Sequence, residues 1–219
     1  MSPAEIQQIC IGEPISVVHE GTEALTGIFK NPVDTEVQVN EMGIVGDGQA
    51  DLTVHGGRDK AVYVYAAEHY PVWAAELGRD QLEPGQFGEN LLVSHVIEDD
   101  VRIGDRFRFG SVICIVAQPR IPCYKLGIRM GDTRFPKRFT EAGRPGFYMR
   151  VEQPGKTVAG DTFELIEEAP HGISVAMLWR TVFGGRTASS EETARRCLEL
   201  MPYLDSGWRR RLRVIAGLR

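Results

Sequence analysis

Hydrophobic and polar positions alternate in short runs through the first 170 residues. A period of two marks a strand buried on one face. Strands are predicted at 5–11, 14–19, 36–40, 61–66, 87–93, 106–109, 112–117, 146–151 and 162–167. The stretch "DRFRFGSVICIVA" reads as a hairpin turning at Gly110-Ser111, because glycine tolerates the positive φ of a tight turn. So many short strands imply a closed or strongly curved sheet. Two helices interrupt it. "AAEHYPVWAAELG" is helical to Leu77, with Gly78 as its stop and Pro71 tolerable only in the first turn. "FPKRFTEAG" is shorter and ends at Gly143 by the same logic.

Past "EEAPHG" the period becomes helical. "SVAMLWRTVF" is broken by Gly184-Gly185, and "SSEETARRCLELM" opens on a capping box of Ser189 and Glu192. "SGWRRRLRVIAG" puts Trp208, Leu212 and Ile215 on one face. The predicted organisation is a mainly β unit with some α over residues 1–170, followed by a small three-helix domain over 171–219.

Composition narrows the class. The chain has 219 residues, 42% hydrophobic and 25% charged, the balance of an ordinary water-soluble globular protein. It holds no apolar run long enough to span a membrane. "MSPAEIQQIC" has neither the basic nor the apolar part of a signal peptide, so the expected location is the cytoplasm and no membrane partner is expected. The net charge of −5 is unevenly spread: residues 118–150 carry eight Lys or Arg against two Asp or Glu, whereas residues 1–117 carry seven against nineteen. Charge runs are usually solvated faces, yet this one surrounds an isolated thiol, which favours an anion site. The "WRRRLR" run has Trp208 as its one aromatic and sits in an acidic chain, so it reads as a solvated face or a contact with an acidic partner, and no nucleic acid is expected.

The isolated thiol is Cys123, in "AQPRIPCYKLGIRM". Cys10 and Cys114 fall in predicted strands and Cys197 shares a helical stripe with Ala194, Leu198 and Met201, so these three read as core. No two cysteines have metal-pair spacing. Pro119 and Pro122 are expected to bar regular strand pairing beside Cys123. Arg120 and Lys125 favour its thiolate. A thiolate can act as a nucleophile or as a soft metal ligand. One cysteine cannot hold a simple metal ion alone, but it can give the protein's single bond to a metal that brings its own ligands. The basic surroundings would then serve a phosphate on that cofactor.

Two other segments carry candidate chemistry. "VHGGRDKAVYVY" sets His55 and Arg58 around Gly56-Gly57, where backbone N–H groups can approach an anion, although from this segment alone a plain turn into a strand with a surface histidine reads slightly better. "GQFGENLLV" leads Glu89 and Asn90 into a strand, and Asn90 can donate to or accept from a heterocycle. His69 lacks the second histidine of a zinc-protease helix, and His19, His95 and His171 have no partner pattern. The signatures GxxxxGK, GxGxxG and GxSxG are absent.

Taken together, "GDGQADLTVHGGRDKAVYVYAAEHYPVW", "GQFGENLLV", "IGDRFRFG" and "QPRIPCYKL" resemble the MOSC domain superfamily, named for the C-terminal domain of molybdenum cofactor sulfurase. The resemblance is closest to its YiiM-like branch and covers nearly the whole chain. It implies a MOSC-type β-barrel-like domain followed by the three-helix domain, and a mononuclear molybdenum cofactor, a Mo-pyranopterin in its mononucleotide form. The pterin dithiolene would give the metal two sulfurs and Cys123 the third. The implied activity is reduction of N-hydroxylated compounds, such as the purine base 6-hydroxylaminopurine, from N–OH to N–H with release of water, a detoxifying reaction. By the same resemblance His55, Gly56, Gly57, Arg58, Asn90, Gln118 and Arg120 would lie near the cofactor, and Lys30 near its phosphate. Cys123, His55 and Arg120 are the catalytic candidates, with Lys125 a further cofactor contact. No flavin, nicotinamide or iron–sulfur motif is visible, so a separate reductase is expected to supply electrons. Two readings compete: a carrier that holds the cofactor for other enzymes, and a metal-free thiol enzyme with His55 as base to Cys123.

Overall fold

In the computed structural model, residues 3–50, 56–200 and 204–218 are described. Among them the alternating segments form strands β1 (Ile6–Ile11), β2 (Ile15–His19), β3 (Thr22–Thr26), β4 (Asn31–Val33), β5 (Val37–Asn40), β6 (Gly43–Ile44), β7 (Val62–Ala66), β8 (Leu91–Val93), β9 (Arg106–Phe109), β10 (Val112–Pro119), β11 (Phe147–Gln153), β12 (Gly155–Thr157) and β13 (Glu164–Glu167). The helices are α1 (His69–Leu77), α2 (Tyr124–Met130), α3 (Phe135–Ala142), α4 (Val175–Phe183), α5 (Ala188–Leu200) and α6 (Ser206–Ile215). Eight strands make one sheet in the order β13-β9-β10-β11-β7-β8-β1-β4. Its pairs are antiparallel except β7 with β8. β12, β5 and β6 form a second sheet, and β2 and β3 form a ribbon of their own.

The mainly β architecture with helices agrees with the alternation. The main sheet is curved but open, since its ladder ends at β13 and β4. It curls until the start of β1 meets the segment leading into β13: Ile6 N–H donates to the Asp161 carbonyl at 3.0 Å, and Phe163 N–H to the Ala4 carbonyl at 2.8 Å.

Two apolar clusters fill the interior. One joins Cys114 and Val116 of the sheet to Trp179, Cys197, Trp208 and Leu212 of the last three helices. The other is aromatic and holds Tyr63, Tyr65, Trp73, Phe87, Phe135 and Phe139 under α1 and α3. Burial of the apolar stripe holds α4, α5 and α6 in place more than helix propensity does. Gly78 and Gly143 close α1 and α3 in left-handed conformations, as their positions predict.

Several elements differ from the sequence reading, each for a local reason. Pairing in β10 runs on through Gln118 to Pro119, which lies opposite Phe147. Proline costs the ladder only a donor, and the Pro119 carbonyl is taken by the Trp208 indole N–H at 3.2 Å. The segment after Cys123 is helical, closed by Gly131 in a left-handed conformation. α5 is capped by Thr187 and Ser190, which exchange hydrogen bonds of 2.8 and 3.0 Å, rather than by Ser189 and Glu192. Met201 lies outside the described residues. The predicted strand 87–93 begins only at Leu91, because residues 85–90 form a loop pressed against Ile28. Gly88 turns there with φ +78, and a Cβ on it would sit 2.8 Å from Ile28 Cγ1.

That loop is held from inside by Glu89, which is fully buried. Its carboxylate accepts from the Gly85 N–H at 2.7 Å, the Phe87 N–H at 3.1 Å and the Tyr70 hydroxyl. An amide in its place would aim its own donor at these donors. Glu89→Gln is therefore expected to lower stability by about 2 kcal/mol or more, read as a shift in the urea midpoint. A midpoint unchanged from the parent protein would show that the carboxylate does not hold the loop.

Candidate functional site

The main sheet places three aromatic and polar positions in one row. Tyr63 of β7 lies opposite Tyr148 of β11, and Tyr148 opposite Gln118 of β10. Immediately past this row the chain leaves the sheet as Arg120, Ile121, Pro122 and Cys123. A cleft opens here between the end of β10, the start of α2, residues 26–30 and the turn at residues 47–50. Lys30, Asn90, Arg120, Cys123 and Lys125 line it, so five of the expected residues come together.

Cys123 is the partly exposed thiol among the four cysteines and occupies the cap position before α2 in an extended conformation. Cys10, Cys114 and Cys197 are fully buried. Burial pushes their thiols up, Cys197 to about 12 and the other two further.

Arg120 is 6% exposed. Its guanidinium donates to the Phe87 carbonyl at 2.6 Å and meets the Tyr63 hydroxyl at 3.4 Å. It lies 4.8 Å from the centre of the Tyr63 ring and 5.8 Å from that of Phe139. Among the described residues no carboxylate pairs with it. Burial by itself opposes its charge, but the Tyr63 and Tyr148 phenols and the Cys123 thiol outweigh that and hold it above its ordinary value. Burial likewise keeps both phenols protonated.

The other expected residues are arranged differently. Lys30 is buried and paired with Asp47. Asn90 spends its amide inside the protein: its oxygen accepts from the Tyr63 N–H at 3.0 Å, and its nitrogen donates to Asp47 at 2.8 Å and to the Cys10 carbonyl at 3.3 Å. It braces β7, β1 and the Asp47 turn against one another. Gln118 is buried with its side chain turned to α6, where it donates to Asp205 at 3.1 Å and accepts from the Asp205 N–H at 3.0 Å. Arg58 is exposed and paired with Glu41, and with Gly56 and Gly57 it stays off the cleft wall. Gly57 takes φ +91 into a short 3-10 turn over Arg58–Lys60. His55 lies outside the described residues.

Sequence reasoning passed over Asp47, Lys60, Tyr63, Tyr148 and Asp205. Lys60 ends the same "HGGRDK" segment as Arg58, but it reaches the cleft, paired with Asp205 at 2.8 Å. Burial alone would raise the Asp205 carboxyl. Hydrogen bonds from Lys60, the Trp208 amide and Gln118 outweigh that and hold it below its usual range. Asp205 also caps α6 through the Trp208 N–H at 2.9 Å, which ties the last helix to the cleft wall. The signal for Lys60 was present in the motif; Asp205 carried none, since its partners are distant in sequence.

The donor set suits a phosphorylated, thiolate-bound group. It offers one accessible thiol, a buried guanidinium without a carboxylate, and Lys125, which makes no ion pair among the described residues. Gln49, at the cleft edge, has a buried side-chain oxygen with no hydrogen-bond partner among them. Among the described residues no group of three or more His, Cys, Asp and Glu could hold a metal ion, so a metal here would bring other ligands with it. No helix among them is long and apolar enough to cross a membrane.

The pattern of the MOSC domain matches residues 51–164. The Bacillus subtilis protein YflK is 42% identical over 165 residues, covering 75% of this chain and 74% of that one. A Gibberella moniliformis protein named as a reductase is 36% identical over 165 residues, 74% of this chain but 29% of its own length. The crystal structure of YiiM from Geobacillus stearothermophilus superposes with a TM-score of 0.80 at 30% identity, covering 97% of this chain and 99% of that one.

The burial pattern makes Cys123 the thiol open to reagents. Iodoacetamide at pH 8 on the folded protein is expected to label one site per chain, and Cys123→Ala to abolish the label, read by mass spectrometry. Comparable labelling of Cys10, Cys114 or Cys197 before unfolding would contradict this.

Proposed function

The chain belongs to the MOSC domain family, and from that premise we propose that it is a molybdenum-cofactor-dependent reductase of N-hydroxylated compounds, N-hydroxylated purine bases among them, acting in the cytoplasm. MOSC domains as a class are associated with the molybdenum cofactor. The observation that carries the reading is Cys123 beside Arg120 in one cleft: a thiol in reach of ligands, next to a buried cation that no carboxylate among the described residues neutralises. The fungal relative's name, reductase, supports the same reaction class.

In this reading Cys123 gives the cofactor's metal its one protein ligand, and Arg120 offsets the charge of the thiolate. Lys125 and Lys30 face the phosphate of the pterin mononucleotide, and Asp47 and Asn90 hold Lys30 and the surrounding loops in position. When bound, the cofactor supplies the two-electron chemistry that takes oxygen from N–OH. Overall, N–OH, two electrons and two protons become N–H and water, and a separate reductase provides the electrons. The Tyr148 phenol lines the cleft and is kept protonated by burial, so it would donate a hydrogen bond to a bound group rather than give up its proton. Lys60, held by Asp205, presents an ammonium at the same wall. Gln118 positions Asp205 and does so from behind the wall.

The test is turnover of 6-hydroxylaminopurine by the holoprotein with a flavin reductase as electron source. Adenine is expected to form, and Cys123→Ala to lose at least about a hundredfold in rate, the scale of removing a group essential to the reacting centre. Cofactor passed readily to an apo-enzyme, with no adenine formed, would make the protein a carrier instead. Full activity without molybdenum would make it a thiol enzyme.

A further inference from the structure

The β2–β3 ribbon pairs with no other strand among the described residues. Its tip is a two-residue turn, Glu20 and Gly21, both at positive φ. Its base runs straight into Thr26 and Ile28 on the cleft wall. The ribbon exposes apolar side chains, Val18 to 80%. At the tip, the His19 ring stacks on Tyr124 with centroids 6.0 Å apart and planes 27° apart. Tyr124 is 52% exposed and follows Cys123 directly, between two residues that line the cleft. Neither the imidazole nor the phenol makes a hydrogen bond among the described residues.

A partly exposed ring pair with unused polar edges, beside the Cys123 thiol, is a stacking platform. We propose that His19 and Tyr124 clamp the planar heteroaromatic ring of the substrate and select such compounds over aliphatic N-hydroxylated ones. The inference rests on the reading above for the N–OH chemistry and adds to it the residues that choose the substrate. Two rings about 7 Å apart admit a third between them at ordinary stacking distance. The observed pair is short of that by about an ångström, and His19 sits on a ribbon tied down at its base and at this contact. Stacking reads the planar face of a ring more than its substituents, so such a clamp would tolerate differently modified bases.

Calorimetric binding to the holoprotein tests this with two ligands, 6-hydroxylaminopurine and the non-aromatic N-hydroxyurea. His19→Ala and Tyr124→Ala should each weaken the purine about tenfold, as loss of a base–aromatic stack does elsewhere. Tyr124→Phe should stay within about twofold, and N-hydroxyurea should bind all variants alike. Unchanged purine binding in both alanine variants, or equal weakening of both ligands, would overturn the proposal. Selective purine binding without any turnover would keep the clamp and remove the reductase reading. Turnover with unchanged purine affinity would do the reverse.

Discussion

Arg120 is a full positive charge inside the protein, and much of the cleft is arranged around it. Burying a lone cation costs several kcal/mol unless hydrogen bonds and nearby negative potential answer it. Among the described residues the answer is neutral: a carbonyl from the 85–90 loop, a phenol, and the faces of two aromatic rings. Cation–π contacts and the charge-assisted hydrogen bonds to Phe87 and Tyr63 recover part of the cost. The rest is a standing demand for an anion, and since burial holds both neighbouring phenols protonated, the Cys123 thiol is the neighbour left to become one. Had a carboxylate been placed against Arg120, the cleft would hold its own counter-ion and have less need of a bound one.

The surrounding fold serves that arrangement. Glu89 shapes the loop whose Phe87 carbonyl meets the guanidinium, and Gly88 lets the loop lie against Ile28. The antiparallel register of β7, β11 and β10 aligns Tyr63, Tyr148 and Gln118 at the point where the chain departs for Arg120. From the other side, α6 grips the end of β10 through Trp208 on Pro119 and Asp205 on Gln118. The last helices are therefore bonded to the residues that frame the site, and their packing on the sheet and the geometry of the cleft are set together.

The sequence made part of this legible. Alternation located the main strands, and the glycine stops located α1 and α3, because these signals are local. Cys123 stood out from the other cysteines because they lie in apolar periodic runs and it does not. α2 was missed because it is short and follows Pro122, which hides a helix start. Asp47 was missed because a glycine-rich turn gives no hint of which side chain faces inward, whereas Lys60 ends the very segment that was read as a site, from which Arg58 was chosen instead. Gln118 was grouped with the cofactor by its closeness to Arg120, but β10 ends at Pro119 before Arg120, and the Gln118 amide is taken by Asp205 at the start of α6. Asn90 was read as a ligand contact, whereas its amide is consumed in joining three segments. Such pairings are tertiary and leave no trace in any single stretch.

The account turns on one bond, from the Cys123 sulfur to the metal of a cofactor whose negative charge the cleft receives. Molybdenum and pterin analysis of the native protein beside Cys123→Ala tests it most directly. The account predicts near-equimolar molybdenum in the native protein and a drop of about tenfold or more in the variant, the size of effect that loss of a metal-site residue brings. Molybdenum bound equally by both proteins would contradict it.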